Sequence, residues 1–152
     1  MENTQCNRSL FGTAAAPLGL SARDPMQLSP LVLAYIGDTV FDLFVRTQAI
    51  LATDLNAHGL HMQSSKLVCA AAQAQAFFAL QSMLTEDELY IFKRGRNSHM
   101  GSVPKNASIA DYRTATGFEA LIGYLYLTEQ DERLTSLIKV ALTCGKGAAT
   151  ED

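Results

Sequence analysis

Apolar residues recur along this chain at the three- and four-residue spacing of a helix and seldom alternate with polar ones. The clearest such stripe follows Ser29 and Pro30, a helix-capping residue and a proline at the first helical position. It predicts a helix that continues to about Ala52. Its core positions are Leu33, Ile36, Val40, Phe41 and Phe44.

Four more helices are predicted downstream from capping residues and apolar spacing. Their expected limits are Ser64 or Ser65 to about Met83, Thr85 to about Gly95, Ser108 through Leu125, and about Gln130 to Gly145. The pattern therefore predicts an all-α domain over residues 28–145, with a C-terminal tail at 146–152. Residues 1–27 are expected to be a disordered or frayed tail, with an organelle leader as the alternative.

Composition favours a single globular domain. With 152 residues, 48% of them hydrophobic, the chain can form one compact core. It lacks the run of about 18 apolar residues that a membrane span requires. The three cysteines are scattered and form no Cys/His cluster, which argues against a zinc site and against a disulfide framework. A reducing, intracellular and cytoplasmic setting is expected.

Charge is distributed unevenly along the chain. The net charge is −3, but the window from Lys93 to Arg113 carries +4 and the rest carries −7. The basic residues of that window are Lys93, Arg94, Arg96, Lys105 and Arg113. A concentrated basic strip is typical of a surface that follows phosphates. An ordinary solvated loop with surface charge explains the window equally well.

Two acids lie within apolar helical segments far apart in the chain. Asp38 lies within LAYIGDTV and Glu119 within TGFEALIG. Gly37 and Gly123 lie beside these acids on the two helices, and small residues allow helices to approach closely. We therefore expect the two helices to pack together and to bring the two acids to a shared site.

Converging carboxylates bind hard cations such as Mg²⁺. A hard cation beside a polyanion suggests phosphodiester hydrolysis by a metal-activated water. The alternative is that each acid pairs with a basic residue or caps a helix end, which is the commoner role of an acid considered alone.

These segments resemble the motifs of a known family. Residues 33–42, LAYIGDTVFD, resemble the ribonuclease III signature, and residues 116–127, TGFEALIGYLYL, resemble the family's second acidic motif. Between them, residues 93–97 and 104–106 are similar to the basic stretch of the small subfamily called mini-ribonuclease III. The resemblance covers about residues 28–142.

The resemblance implies a ribonuclease III-type helical endonuclease domain that cuts double-stranded RNA with Mg²⁺, for which Mn²⁺ can substitute. It implies a homodimer in which each of the two sites cuts one strand. The subfamily's usual substrate is the precursor of 23S ribosomal RNA, and a large-subunit ribosomal protein is a candidate partner. No double-stranded-RNA-binding domain follows the last predicted helix, and no membrane partner is implied.

By the same resemblance, Asp38 and Glu119 are the catalytic residues and the metal ligands. The full-length family has further acids where this chain has Leu31, Ala34 and Thr116. These departures match the mini subfamily but leave the number of metal ions open. Asp42 and Thr116 are expected to assist the site. For Asp42, a hydrogen bond to a metal water or a neighbouring side chain is weighed equally against an exposed helix acid.

RNA contacts are expected in the basic window, where arginine forks match phosphate oxygens and asparagine can bond a ribose hydroxyl. The predicted RNA-binding residues are Arg94, Arg96, Asn97, Lys105 and Arg113. The rival hypothesis is a non-catalytic helical RNA-binding or scaffold protein that retains the fold. A helical metal-carboxylate oxidase does not fit, because the chain lacks the Glu-x-x-His pairs of such bundles.

Overall fold

A computed structural model of the chain describes residues 9–18, 23–98, 102–103, 105 and 108–147. All regular elements within these residues are helical, which confirms the all-α prediction. The α-helices are α1 (Leu10–Ala15), α2 (Pro30–Ala52), α3 (Ala57–Val68), α4 (Ala70–Leu80), α5 (Glu86–Arg96), α6 (Ile109–Leu127) and α7 (Asp131–Gly147). In this described part of the chain, no helix combines the length and apolar character needed to cross a membrane.

Helix α6 is the centre of the fold. It packs most extensively against α2 and also against α5 and α4. Most of its residues from Thr114 to Tyr126 are buried, so it has little of the polar face that a surface helix shows. Glu119 therefore projects from the most enclosed helix of the domain.

Helices α2 and α6 touch through their main chains. A Cβ atom placed on Gly37 would lie 1.7 Å from the carbonyl oxygen of Glu119, and one on Gly123 would lie 2.0 Å from that of Leu33. No side chain fits at such distances, so both positions require glycine. The close packing predicted from these two glycines is confirmed.

Aromatic pairs fill the core around this crossing. Phe41 of α2 meets Phe118 of α6 edge to face, with ring centroids 5.1 Å apart. Phe77 of α4 stacks on Phe92 of α5 at 3.6 Å. These contacts fix α2, α4 and α5 around α6 and thus hold the walls of the site.

Helix limits agree with the sequence pattern for α2, and within two residues for α5 and α6, which Thr85 and Ser108 cap as predicted. Ser29 caps α2 as predicted, and the helix ends at Ala52. The single helix predicted to begin at Ser64 or Ser65 and end near Met83 is wrong, because the chain turns extended at Cys69 and separates α3 from α4. Helix α3 also begins earlier, since Asn56 accepts a hydrogen bond from Gly59 N and caps it. Helix α7 continues to Gly147, two residues past the predicted end.

Part of the expected N-terminal tail is ordered. Phe11 packs edge to face on Tyr126 at 5.7 Å, and Leu10 N donates to the Asp131 carboxylate at 2.8 Å. The expectation of a frayed tail over residues 1–27 therefore does not hold for 9–18, because this segment has both an apolar contact and a capping partner. Residues 1–8 and 19–22, like 148–152 of the predicted C-terminal tail, lie outside the described residues.

Candidate active site

Asp38 and Glu119 face the same open cavity. Asp38 lies on α2 directly after Gly37, and Glu119 lies on α6 at the point where Gly37 contacts it. The cavity has a volume of about 260 Å³. Its lining residues are Leu31, Ala34, Tyr35, Asp38, Thr39, Tyr112, Thr116 and Glu119. The structure thus brings together the two acids that the sequence pattern singled out, at a surface that a ligand can reach.

Both carboxyl groups have raised pKa values, which disfavours their ionised forms. Burial, and then the negative charge of Asp38, raise the pKa of Glu119 to about 7, although the Gln73 amide acts in the opposite direction. Burial and the neighbouring Asp42 raise the pKa of Asp38. Neither Asp38 nor Glu119 forms an ion pair with a described basic residue. The pair is therefore an uncompensated concentration of negative charge.

The donor set fits a hard divalent cation. Two carboxylates offer oxygen ligands, and a cation between them would favour the ionised form of both. Among the described residues there is no group of three or more His, Cys, Asp or Glu side chains that could enclose a metal. This agrees with the absence of acids at Leu31, Ala34 and Thr116. Water and substrate phosphate would have to complete the coordination.

The two residues expected to assist the acids already have protein partners. The Asp42 carboxylate accepts a hydrogen bond of 2.8 Å from Arg46 Nε, one turn along α2. Thr116 Oγ1 donates to the carbonyl of Tyr112 at 3.0 Å. Asp42 therefore has a hydrogen bond to a neighbouring side chain, that of Arg46. A contact of Asp42 or Thr116 with a metal-bound water stays a prediction.

The predicted RNA-binding residues fall into two groups. Arg94 is half-buried and donates to the carbonyls of Met26 and Leu28, at 3.4 and 3.3 Å. Arg96 lies 5.7 Å from the ring centre of Phe92 and donates to the Asn97 side chain. These arginines help to hold the fold.

Lys105 and Arg113 form the second group and are exposed. Arg113 follows Tyr112, which lines the cavity, and thus lies on the helix that carries Glu119. RNA binding by all five residues stays a prediction.

Two features of the interior were missed in the sequence. Gln73 of α4 is buried beside Glu119, and the pattern assigned it no role. Glu88 of α5 is also buried, and it pairs with Arg133 of α7 at 2.8 Å. The sequence did contain a signal for Gln73, because a glutamine on the apolar face of an alanine-rich helix indicates a buried polar side chain. The partner of Glu88 lies 45 positions away, beyond any local pattern.

Comparison with known proteins agrees with this arrangement. A family model described as the Ribonuclease III domain matches residues 31–130. The Mini-ribonuclease 3 of Clostridium tetani is 47% identical over 79% of this chain and 80% of its own length. That of Brevibacillus brevis is 44% identical over 82% of this chain and 93% of its own length.

A solved structure has the same fold. The crystal structure of a Fusobacterium nucleatum protein superposes with a TM-score of 0.73 at 27% identity, covering 80% of this chain and 98% of that one. Enzymes of the matched family act on double-stranded RNA with a divalent metal. The chain belongs to the ribonuclease III family, it is similar to the Mini-ribonuclease 3 proteins of that family, and it is an endoribonuclease.

Proposed function

We propose that this endoribonuclease uses Mg²⁺ bound between Asp38 and Glu119 to cleave double-stranded segments of precursor 23S ribosomal RNA in the cytoplasm. The observation that carries the proposal is the pair of acids on one cavity at the α2–α6 crossing, without a basic partner among the described residues. The names of the relatives support the reaction class, and the subfamily resemblance supports the ribosomal substrate.

The protein's contribution to the chemistry is placement and charge. When bound, Mg²⁺ supplies an activated water and stabilises charge on the phosphodiester that is being cut; Mn²⁺ suits the same oxygen ligands. Asp38 is exposed and can meet a ligand entering from solvent, whereas Glu119 approaches from the interior. The main-chain contact between α2 and α6 sets the distance between the two carboxylates and holds them ready for the ion.

A homodimer is supported by an apolar surface next to the site. Tyr35 is 80% exposed, and Leu31 and Val32 are 40% and 48% exposed. All three lie on α2 within about two turns of Asp38. A contiguous apolar surface of this kind marks an interaction site. Pairing of two copies along this surface would bring two sites close together, one for each strand of an RNA duplex.

Substrate contacts are proposed for the basic residues. Lys105 and Arg113 are the exposed candidates for phosphate, and Arg96 with Asn97 lies at the end of α5. Arg94 is the fifth proposed residue, and its positive charge would attract the RNA phosphates. We also propose that a large-subunit ribosomal protein presents the precursor RNA and so selects the RNA helix that is cut.

Cleavage of a defined substrate tests the function. The protein is incubated with each of four substrates in Mg²⁺, Mn²⁺ or EDTA. The substrates are precursor 23S RNA, a generic RNA duplex, a DNA duplex of the same sequence and single-stranded RNA. We expect discrete cuts in the two duplex RNAs, with either ion, and none with EDTA or with Asp38→Asn. Cleavage in EDTA, or equal cleavage of duplex DNA, would contradict the proposed chemistry.

The ribosomal substrate is tested separately from the chemistry. Mapping of the new RNA ends, with and without ribosomal proteins, should give two opposed cuts in one precursor helix. Cleavage of generic duplex RNA with an untouched precursor in every mixture would refute the ribosomal assignment while leaving the enzyme class intact.

A further inference from the structure

Gln73 is the one polar side chain among the buried residues of α4. The other buried residues of this helix are Ala74, Ala76, Phe77 and Leu80. Gln73 is 1% exposed, which is less than for most of its apolar neighbours. A glutamine in such a position must find hydrogen-bond partners inside the protein, because water does not reach it.

The amide group of Gln73 has unused hydrogen-bonding capacity. Its Nε2 atom is buried and has no hydrogen-bond partner among the described residues. An unsatisfied buried donor is costly, whereas an apolar side chain of the same shape would cost nothing there. Core packing alone therefore does not account for glutamine at this position.

Glu119 is a neighbouring acceptor for the Gln73 amide. Helix α4 packs against α6, and the Gln73 side chain lies close enough to Glu119 to lower the pKa of that carboxyl, as a donor to a carboxylate does. The donor and acceptor nevertheless fall short of complete hydrogen-bond geometry. The amide therefore lies beside the carboxylate without a completed hydrogen bond.

We propose that Gln73 is a positioning residue whose Nε2–H donates to the Glu119 carboxylate and fixes the orientation in which Glu119 binds the metal. The inference rests on the proposed role of Glu119 as a metal ligand. Ligand carboxylates are commonly oriented by a hydrogen bond from a neighbouring group, and the loss of that group weakens metal binding. Gln73 approaches from α4, whereas Asp38 approaches from α2, so Glu119 would be held between an amide and the ion.

Metal binding to the RNA-free protein tests the role without depending on cleavage. Mn²⁺ affinity is measured by titration calorimetry for the wild type and for Gln73→Met, which keeps the length of the side chain and removes the donor. The matched control is Gln75→Met, on the exposed side of the same helix. We expect Gln73→Met to weaken Mn²⁺ binding by about 10–100-fold and Gln75→Met to leave it unchanged.

Kinetics separate positioning from a purely structural effect. For Gln73→Met the Mg²⁺ concentration at half-maximal cleavage should rise by a similar factor, while the KM for RNA at saturating Mg²⁺ stays constant. In the Glu119→Gln background, Gln73→Met should cause no further loss of Mn²⁺ binding, because the residue it orients has been changed. Wild-type Mn²⁺ affinity in a folded Gln73→Met variant would overturn the inference.

Two further variants keep the test decisive. If Gln73→Met does not fold, Gln73→Asn, which withdraws the amide by one methylene group, replaces it: weakened Mn²⁺ binding supports the inference and unchanged binding overturns it. Glu119→Gln tests the site itself. If that variant binds Mn²⁺ as the wild type does, the proposed metal site fails. If it loses Mn²⁺ and Gln73→Met does not, only the positioning role fails.

Discussion

The interior of this domain contains two glutamates in opposite circumstances. Glu88 is 4% exposed and accepts hydrogen bonds from Arg133 at 2.9 and 2.8 Å and from Thr85 N at 2.9 Å. Burial alone would raise its pKa, but the bonds from Arg133 and Thr85 outweigh burial and leave the pKa lowered. Glu119 has an acid, Asp38, where Glu88 has a base, and its pKa is raised to about 7.

This difference separates a structural acid from a proposed metal ligand. The charge of Glu88 is neutralised within the protein, so that residue joins α5 to α7 and caps a helix. Glu119 has no basic partner among the described residues and lies next to an open cavity, where we propose that a cation neutralises its charge. An acid within an apolar helix is therefore informative only once its partners are known.

The largest effect that distinguishes the two acids should be on cleavage. We expect Asp38→Asn and Glu119→Gln each to lower kcat by roughly 10³-fold or more, about 4 kcal/mol of transition-state stabilisation, since each removes a proposed metal ligand. Glu88→Gln is the matched control and should keep near wild-type kcat per folded molecule. Single-turnover cleavage of an RNA duplex at saturating Mg²⁺ provides the measurement, and near wild-type turnover by either ligand variant would refute the site.

Stability should respond in the reverse order. Arg133→Met leaves Glu88 buried without its cation and should lower the free energy of unfolding by about 2–4 kcal/mol. Metal-free Glu119→Gln should unfold no more easily than the wild type at neutral pH, because it removes a repulsion between two acids. Urea denaturation of both variants checks this pair of expectations. An unchanged midpoint for Arg133→Met would show that the Glu88 ion pair contributes little.

The pH dependence of stability should also differ in sign. The folded pKa of Glu119, about 7, exceeds its ordinary value of 4.5, so the unfolded chain loses its proton first as the pH rises. The contribution of Glu119 should therefore make the free energy of unfolding of the metal-free protein fall as the pH rises from about 4.5 to 7. The pKa of Glu88 is lowered, so its contribution is present above pH 4.5 and is lost as the pH falls through its folded pKa.

Thermal melts in EDTA across this range, with Glu119→Gln as the comparison, measure the effect. The stability of Glu119→Gln should fall less than that of the wild type as the pH rises from 4.5 to 7. Added Mg²⁺ should reduce this loss of stability in the wild type. If the metal-free wild type and Glu119→Gln had parallel profiles from pH 4.5 to 7, the raised pKa would be refuted.

The smallest effects are expected in the basic window. Arg113→Ala and Lys105→Ala should each flatten the dependence of log RNA affinity on log salt by up to about one unit. Arg94→Ala should in addition lower stability, because its guanidinium donates hydrogen bonds to the carbonyls of Met26 and Leu28. Duplex binding is titrated in Ca²⁺ to suppress cleavage. Unchanged salt slopes for both exposed residues would place the RNA path elsewhere.

Local sequence patterns were sufficient to predict much of the helical structure around the two acids. Ser29 and Pro30 predicted the start of α2, and Thr85 with Glu88 predicted the capping box of α5, because both depend on neighbouring residues. Gly37 and Gly123 predicted the approach of α2 to α6. The acids could be paired in advance because each lies beside one of these glycines.

Features that depend on distant partners were not accessible in this way. The pattern could not separate α3 from α4, because the alanine-rich segment after Cys69 is equally helical in propensity. The docking of α1 depends on Tyr126 and Asp131, more than a hundred residues away. The basic window predicted a group of RNA contacts, but it could not show that Arg94 is engaged by carbonyls near residue 26.

The main-chain contact at Gly37 and Gly123 has a consequence for engineering this enzyme. Because backbone atoms set the spacing of α2 and α6 at this point, core side chains elsewhere can be redesigned for thermal tolerance without altering the space between the two acids. A single added methyl group at either glycine would separate the helices. Engineering of this enzyme should therefore leave both glycines unchanged, because the smallest chemical change there would produce the largest change in the space between the acids.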